Sequence, residues 1–303
     1  MANFTGDGNF TYKLNRVFSQ PQVGILTFIL GLNVFLSITA SLGNSLILIA
    51  LHKVSSIHLP TKLFFRCLAV TDLRVGLIVH PLHAAEIVSN VRYMNVNVAY
   101  YIPKVAWALS VLLCGVSVLT STAIGMDRLL ALLLGLRHRH VVTLRRVRVS
   151  ITCFWLISAS AGTIRLWSNG IAAKLSSVTV ALSVVVSIYC YTRIHLKLRH
   201  RQDEVQNHAN QGEVRGRNSQ MIITRYRRTV STIFWVQLAL VCCYIPWAIM
   251  VALHENGIRS YLARCAAGSL VLLNSSLNPI VYCWKITEVK QAVKDTITQL
   301  NCF

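Results

Sequence analysis

Acidic side chains are scarce in this sequence. Ten Asp and Glu stand against 30 Lys and Arg in 303 residues, and charged residues make up only 13% of the chain. A soluble domain carries about 25%. With 54% hydrophobic residues and a mean hydropathy of +0.54, that shortage excludes an ordinary water-soluble domain and points to lipid as the solvent. The net charge of +20 would suggest nucleic acid in a soluble protein. Here the basic residues form short clusters between apolar runs, none long enough to fold alone, so nucleic acid is not an expected partner.

Two further absences narrow the field. No internal repeat is visible, which gives inverted-repeat transporter folds no support. A disulfide framework is also missing, although there are nine cysteines. Cys67, Cys114, Cys153, Cys190, Cys242, Cys243 and Cys283 fall inside apolar runs, where they act as small hydrophobes. Cys265 lies near an outer face without an evident partner. Cys302 follows an amphipathic stretch and is a candidate for S-palmitoylation, with a plain exposed thiol as the alternative.

What is present is a series of seven apolar stretches, at about 24–51, 61–88, 98–131, 147–168, 172–197, 228–253 and 262–283. Each is long enough to cross a bilayer as a helix, which takes about 20 residues, and lipid-facing backbone must be helical to satisfy its own hydrogen bonds. The chain is therefore expected to be an all-α membrane protein, a seven-helix bundle. Residues 1–23 form an outer tail, 24–283 the bundle, and 284–303 a short amphipathic eighth helix with the cytoplasmic C-terminus. In that last segment Ile286, Val289, Val293 and Ile297 share one face, and Lys285, Lys290 and Lys294 the other. The polar stretch at about 200–222 reads as a flexible cytoplasmic connection.

Two signals set the topology. Lys62, Arg66, Arg137, Arg139, Arg145, Arg146, Arg148, Arg193, Lys197 and the group Arg225 to Arg228 lie on one side, whereas the other has scattered Arg92, Lys174 and Arg259. The basic side is cytoplasmic. Asn3-Phe4-Thr5 and Asn9-Phe10-Thr11 are glycosylation acceptors in the tail, with no cleavable apolar segment before them. Both place the N-terminus outside.

Polar residues inside spans are costly and turn inward. Asp72 lies mid-way along the second span, Ser110, Cys114, Ser117 and Ser121 recur on one face of the third, and Asn274, Asn278 and Tyr282 on one face of the seventh. These can converge on Asp72, either as a hydrated sodium site or as a water-filled hydrogen-bond network. Asp127 and Arg128 end the third span as adjacent opposite charges. Pro246 and Pro279 interrupt the sixth and seventh spans, each removing one backbone donor.

In chain order these residues resemble the rhodopsin-like G-protein-coupled receptors over nearly the whole length. The matching segments are Gly43-Asn44, Leu68-Ala69-Val70-Thr71-Asp72, Asp127-Arg128-Leu129, Trp155, Tyr191, Cys243-Tyr244-Ile245-Pro246 and Asn278-Pro279-Ile280-Val281-Tyr282. The resemblance implies a plasma-membrane receptor without enzymatic activity or cofactor, sensing an extracellular ligand and activating a heterotrimeric G protein, with cyclic AMP as the expected messenger. It implies an allosteric sodium site at Asp72, Ser117, Asn274 and Asn278. It also implies a switch in which Arg128 leaves Asp127 and meets Tyr191 and Tyr282, with Tyr244, Pro246, Asn278 and Pro279 taking part. The ligand pocket would involve Glu86, Trp107, Ser110, Cys114, Tyr244 and His254, with His83, Lys104 and Arg165 nearby; for His83, Glu86, Lys104, Trp107, Arg165 and His254 the alternative is an anchor at the membrane interface.

Departures from the family pattern are informative. Leu129 and Tyr244 replace the usual Tyr and Trp. Twenty-five residues before Arg128 stands Pro103, where the family usually has the cysteine of an outer disulfide, and the loop at about 168–172 is very short and lacks cysteine. Ser183 stands at the usual fifth-span proline. These changes resemble the melanocortin branch, in the broader group with adenosine, cannabinoid and lysophospholipid receptors. Ser110 occupies the position where amine receptors carry an aspartate, which disfavours a cationic amine. No lysine occurs within 262–283, which excludes an opsin's retinal chemistry. A non-signalling receptor-like protein remains the alternative, followed by a transporter or channel.

Overall fold

The computed structural model describes residues 20–54, 57–91, 96–210, 238–253, 260–285, 290–291, 293–295 and 298. The first span is the helix Gln20–Lys53. The second is two α-helices, Leu59–Arg74 and His80–Val91, joined by a π-turn at Val75–Val79. The third is Val96–Leu134, the fourth Leu144–Trp167, the fifth Asn169–Asn210 and the seventh Tyr261–Lys285. Of the sixth, Leu238–Leu253 is described and is a shorter apolar helix. Among the described residues, four helices are long and apolar enough to cross a membrane: Gln20–Lys53, Tyr100–Leu134, Leu144–Trp167 and Gly170–His200.

The bundle is inverted relative to a water-soluble protein. Phe28, Leu42, Leu182, Val185 and Ile188 are exposed, whereas Asn33, Asn44, Asp72, His80 and Asn278 are buried. The first span packs on the second and seventh, and the third on the second, fourth and fifth. Polar rivets join the first span to the seventh. Asn33 Nδ2 donates to Ser269 Oγ at 2.7 Å, and Asn44 Nδ2 to the Ser275 carbonyl at 3.1 Å. Away from water such bonds have few competitors. Small residues let the third and fourth spans close up: a Cβ on Gly162 would meet the Ala108 carbonyl oxygen at 3.0 Å.

Three features differ from the sequence reading. The second span is not one regular helix. Pro81 stands two residues past the end of its π-turn, and this proline cannot donate back into the preceding turn. The fourth and fifth helices are separated by Ser168 alone, a tighter outer turn than the short loop expected. Its Oγ accepts from the Ile171 N–H at 3.4 Å. The fifth helix also runs on to Asn210, well past residue 200, where a flexible connection was expected. Arg201, Gln202, Glu204, Gln206 and Ala209 in that stretch are good helix formers in water, so a helix leaving the membrane can continue through it.

At the inner end Gly135 adopts φ +53°, a left-handed conformation that only glycine takes at little cost. The turn Gly135–Arg137 and the short helix His138–Val141 fold back there. Residues 290–291, 293–295 and 298, within the expected amphipathic C-terminal helix, are helical. Val293 belongs to the same buried apolar cluster as Phe64 and Phe65, and Gln291 donates to Asp295 one turn on at 2.9 Å.

Candidate functional site

Three groups of functional side chains are strung along the third span. At mid-depth, Asp72 accepts from Ser117 Oγ (3.0 Å) and Ser275 Oγ (2.8 Å) on one oxygen and from Asn278 Nδ2 (2.7 Å) on the other. All four residues are buried. Asn274 is buried beside them, and its Oδ1 has no hydrogen-bond partner among the described residues. The expected set is thus brought together around Asp72, apart from Asn274, which does not bond the carboxylate directly. Ser275 is an addition. It sits one position from Asn274 and outside the Asn274–Asn278–Tyr282 stripe, so helical spacing gave no cue to it. The donor set fits a small hard cation, which takes oxygen ligands: a carboxylate without a cationic side-chain partner among the described residues, two hydroxyls, and an amide oxygen lacking a bond.

Above this core is a cavity of about 440 Å³ between the third, fourth, fifth, sixth and seventh spans. That size suits a drug-sized ligand. Trp107, Ser110, Cys114 and Tyr244 line it, as expected, together with His83 and Arg165. His254 lies outside the described residues. Glu86 is not in the wall but behind it, 1% exposed. One of its oxygens accepts from Arg264 (3.2 Å) and Trp107 Nε1 (3.4 Å), and His83 Nδ1 lies 3.3 Å from the other. His83 in turn bonds Ser110 through Nε2 at 3.1 Å. Trp107 stacks on Trp247 with ring centroids 4.8 Å apart. Sequence reasoning missed Trp247 and Arg264, which no spacing rule ties to residues so distant in the chain. Lys104 reaches back to Tyr100 at 3.5 Å.

The inner end differs from expectation. Asp127 accepts from Thr61 Oγ1 (2.8 Å) and bonds His138 Nε2 (3.0 Å). The guanidinium of Arg128 lies 5.8 Å from the centroid of the Phe65 ring. A pair between the neighbours Asp127 and Arg128 is not among the ion pairs of the described residues. The physical reason is local: on a helix, successive side chains point about 100° apart, and the fold-back at Gly135 brings His138 to the carboxylate instead. Tyr191 packs with Leu129, Leu132 and Ile194 near this end. The backbone of Tyr282 is helical, but its side chain is outside the described part, as are Asn3, Asn9 and Cys302. Pro246 lies within Leu238–Leu253 and Pro279 within the seventh helix. Arg74, unexplained by the sequence, places its guanidinium 5.4 Å from the centroid of Trp155 on the fourth span, a cation–π contact across helices.

Known proteins share this order of spans. The pattern of the family described as "7 transmembrane receptor (rhodopsin family)" matches residues 43–174 and 161–282. Adenosine receptor A3 of Ovis aries is 24% identical over 282 residues, covering 85% of this chain and 86% of that protein. The Bos taurus adenosine receptor A3 is 23% identical over 288 residues, covering 86% of this chain and 87% of that protein.

Proposed function

The chain belongs to the rhodopsin family of seven-transmembrane receptors, and from that membership we propose that it senses an extracellular ligand in the outer cavity and activates a heterotrimeric G protein at its inner end, modulating cyclic AMP. Members of this family are multi-pass membrane receptors, typically of the plasma membrane, and not enzymes. The observation that carries the proposal is the continuity of the third span. It lines the cavity with Trp107, Ser110 and Cys114, bonds Asp72 through Ser117, and ends in Asp127 and Arg128. A ligand that shifts this helix biases all three levels, which is what a population shift between two packings requires.

In this reading Arg128 contacts the G protein, with Tyr191 and Tyr282 as its partners in the active state. Asp72, Ser117, Asn274 and Asn278, joined by Ser275, hold a sodium ion that favours the inactive packing. Bound there, the ion supplies positive charge to a buried carboxylate. Because Asp127 is engaged by Thr61 and His138, Arg128 is not restrained by its neighbour, which favours measurable output without ligand.

Cyclic AMP measured in cells without added ligand, with parent and Arg128→Ala matched for surface level, tests the reading. A basal signal lost in the mutant supports it, and full signalling by the mutant removes Arg128 from the coupling role. The relatives named as adenosine receptors raise adenosine as a ligand. The largely apolar cavity wall argues against it, since each ribose hydroxyl buried without a partner costs about 1–3 kcal/mol.

A further inference from the structure

Among its described lining residues, the outer cavity has a single permanently charged group. Arg165 lines it, and no aspartate or glutamate does among the described lining residues. A guanidinium keeps its charge at any physiological pH. Glu86, the buried acid nearby, stands behind the wall, facing Arg264, Trp107 and His83; its charge also reaches Arg165, as does that of Arg264, so two guanidiniums share one carboxylate and the pair of them keeps a net positive charge. A cationic ligand would meet no counter-charge in this wall, whereas an anionic one would meet a planar fork suited to carboxylate or phosphate oxygens.

Most of the remaining wall offers little to a polar molecule. The hydroxyls of Ser110, Ser176 and Thr179 donate to carbonyls on their own helices, those of Ala106, Ala172 and Leu175. Val111, Val118, Val180 and Leu272 supply much of the surface between them. Polar ligand groups placed there would lose water without replacement, while a hydrocarbon chain would not.

The cavity also reaches the outer face of the bundle. Ile157, Val185 and Ile245, on three successive spans, line it and are 50%, 63% and 50% exposed. Exposed apolar side chains at that depth face lipid, so the mouth flanking the fifth span opens toward hydrocarbon. The fourth and fifth helices join through Ser168 alone, so their connection cannot roof this edge.

We propose that the ligand of this cavity is a long-chain anionic amphiphile taken up from the bilayer, its acidic head paired with Arg165 and its chain lying along the apolar wall. This rests on the cavity being the ligand site of the receptor. The full-length protein in phosphatidylcholine nanodiscs, titrated with radiolabelled oleate, is the test, with oleoyl lysophosphatidate, oleyl alcohol and adenosine as competitors. Saturable oleate binding is expected, displaced at least tenfold less well by the alcohol than by either anion. Arg165→Gln should weaken oleate tenfold or more and leave the alcohol unchanged, Arg165→Lys should retain most of the affinity, and Ser177→Trp should block both ligands. The better of the two anions identifies a carboxylate or a phosphate head.

Equal competition by the alcohol, or oleate binding indifferent to Arg165→Gln, overturns the proposal, as does saturable adenosine binding that neither amphiphile displaces. If Arg165→Gln does not elute as a monodisperse receptor, head-group selectivity of the parent decides alone. Nucleotide exchange on an added G protein separates the two readings. Oleate that binds as expected but leaves exchange unchanged preserves the site and removes its signalling role. Exchange that depends on Arg128 without oleate binding preserves the receptor and removes the amphiphile.

Discussion

Asp72 and Glu86 lie on the same span and are both buried, at 0% and 1% exposure, yet their charges are met differently. Glu86 faces the guanidinium of Arg264, the indole of Trp107 and the ring of His83. Asp72 receives two hydroxyls and one amide. Hydrogen bonds from neutral groups satisfy the lone pairs of a carboxylate but bring it no positive charge, and a buried charge left unpaired is costly. Glu86 is thus a fixed structural tie between the second, third and seventh spans. Asp72 has no fixed counter-charge among the described residues, and this is the opening for the proposed sodium ion. Asp127 falls between the two, since its partners are one hydroxyl, of Thr61, and one imidazole, of His138.

The largest effect expected from breaking the comparison is at Glu86. Glu86→Ala leaves Arg264 partly buried without its acid and removes the acceptor of Trp107. The loss should be about 3 kcal/mol, seen as a collapse of surface expression and of the thermal stability of solubilised receptor. Adding Arg264→Ala should restore part of it, because the stranded charge is then gone. A double variant no better than the single would show that the ion pair is not what Glu86 contributes.

Next comes Gly268, whose Cβ would lie 2.6 Å from Trp107 Cη2. Gly268→Ala should push Trp107 away from Glu86 and Trp247, costing about 1–3 kcal/mol of stability, with ligand binding weakened in parallel. Unchanged melting would mean the tryptophan moves freely.

Asp72→Asn should do the opposite of Glu86→Ala: the fold survives and the sodium response is lost. The parent should melt higher in sodium chloride than in choline chloride, by about 1 kcal/mol of stability when sodium stands near five times its Kd, and the variant should not distinguish the salts. Ser275→Ala, which removes one of the three donors, should cost about 1 kcal/mol and shift the sodium titration to higher concentration without abolishing it.

The smallest effect sharpens the third case. His58 sits beside His138, with ring centroids 5.7 Å apart. Burial, then the neighbouring His138, hold its pKa below the usual 6.5. The unfolded chain therefore binds that proton more tightly, so the contribution of His58 to stability is present above pH 6.5 and is lost as pH falls below it. His58→Gln should flatten the acid side of the stability profile, and an unchanged profile would exclude it as the source.

Much of this was legible in residues. Asp72, Ser117 and Asn278 could be grouped because a polar side chain in a span must face inward, and helical spacing then assigns the face. The same rule passed over Ser275, since a helix shows a wider arc than one stripe. The fifth helix beyond residue 200 was hidden because its polar composition is shared by loops and by helices in water. Arg128 over Phe65, with Asp127 given to Thr61 and His138, follows from a fold-back whose single cue was Gly135.

Sequence by itself determined the solvent, the number of spans, their orientation and the family, because each depends on composition and order along the chain. Tertiary structure decided which buried acid is neutralised and which is left open, how far the fourth–fifth turn contracts, and what the cavity wall presents. These depend on side chains far apart in the chain, such as Glu86 with Arg264 and Asp72 with Asn278, whose meeting is set by how the helices pack rather than by any local pattern.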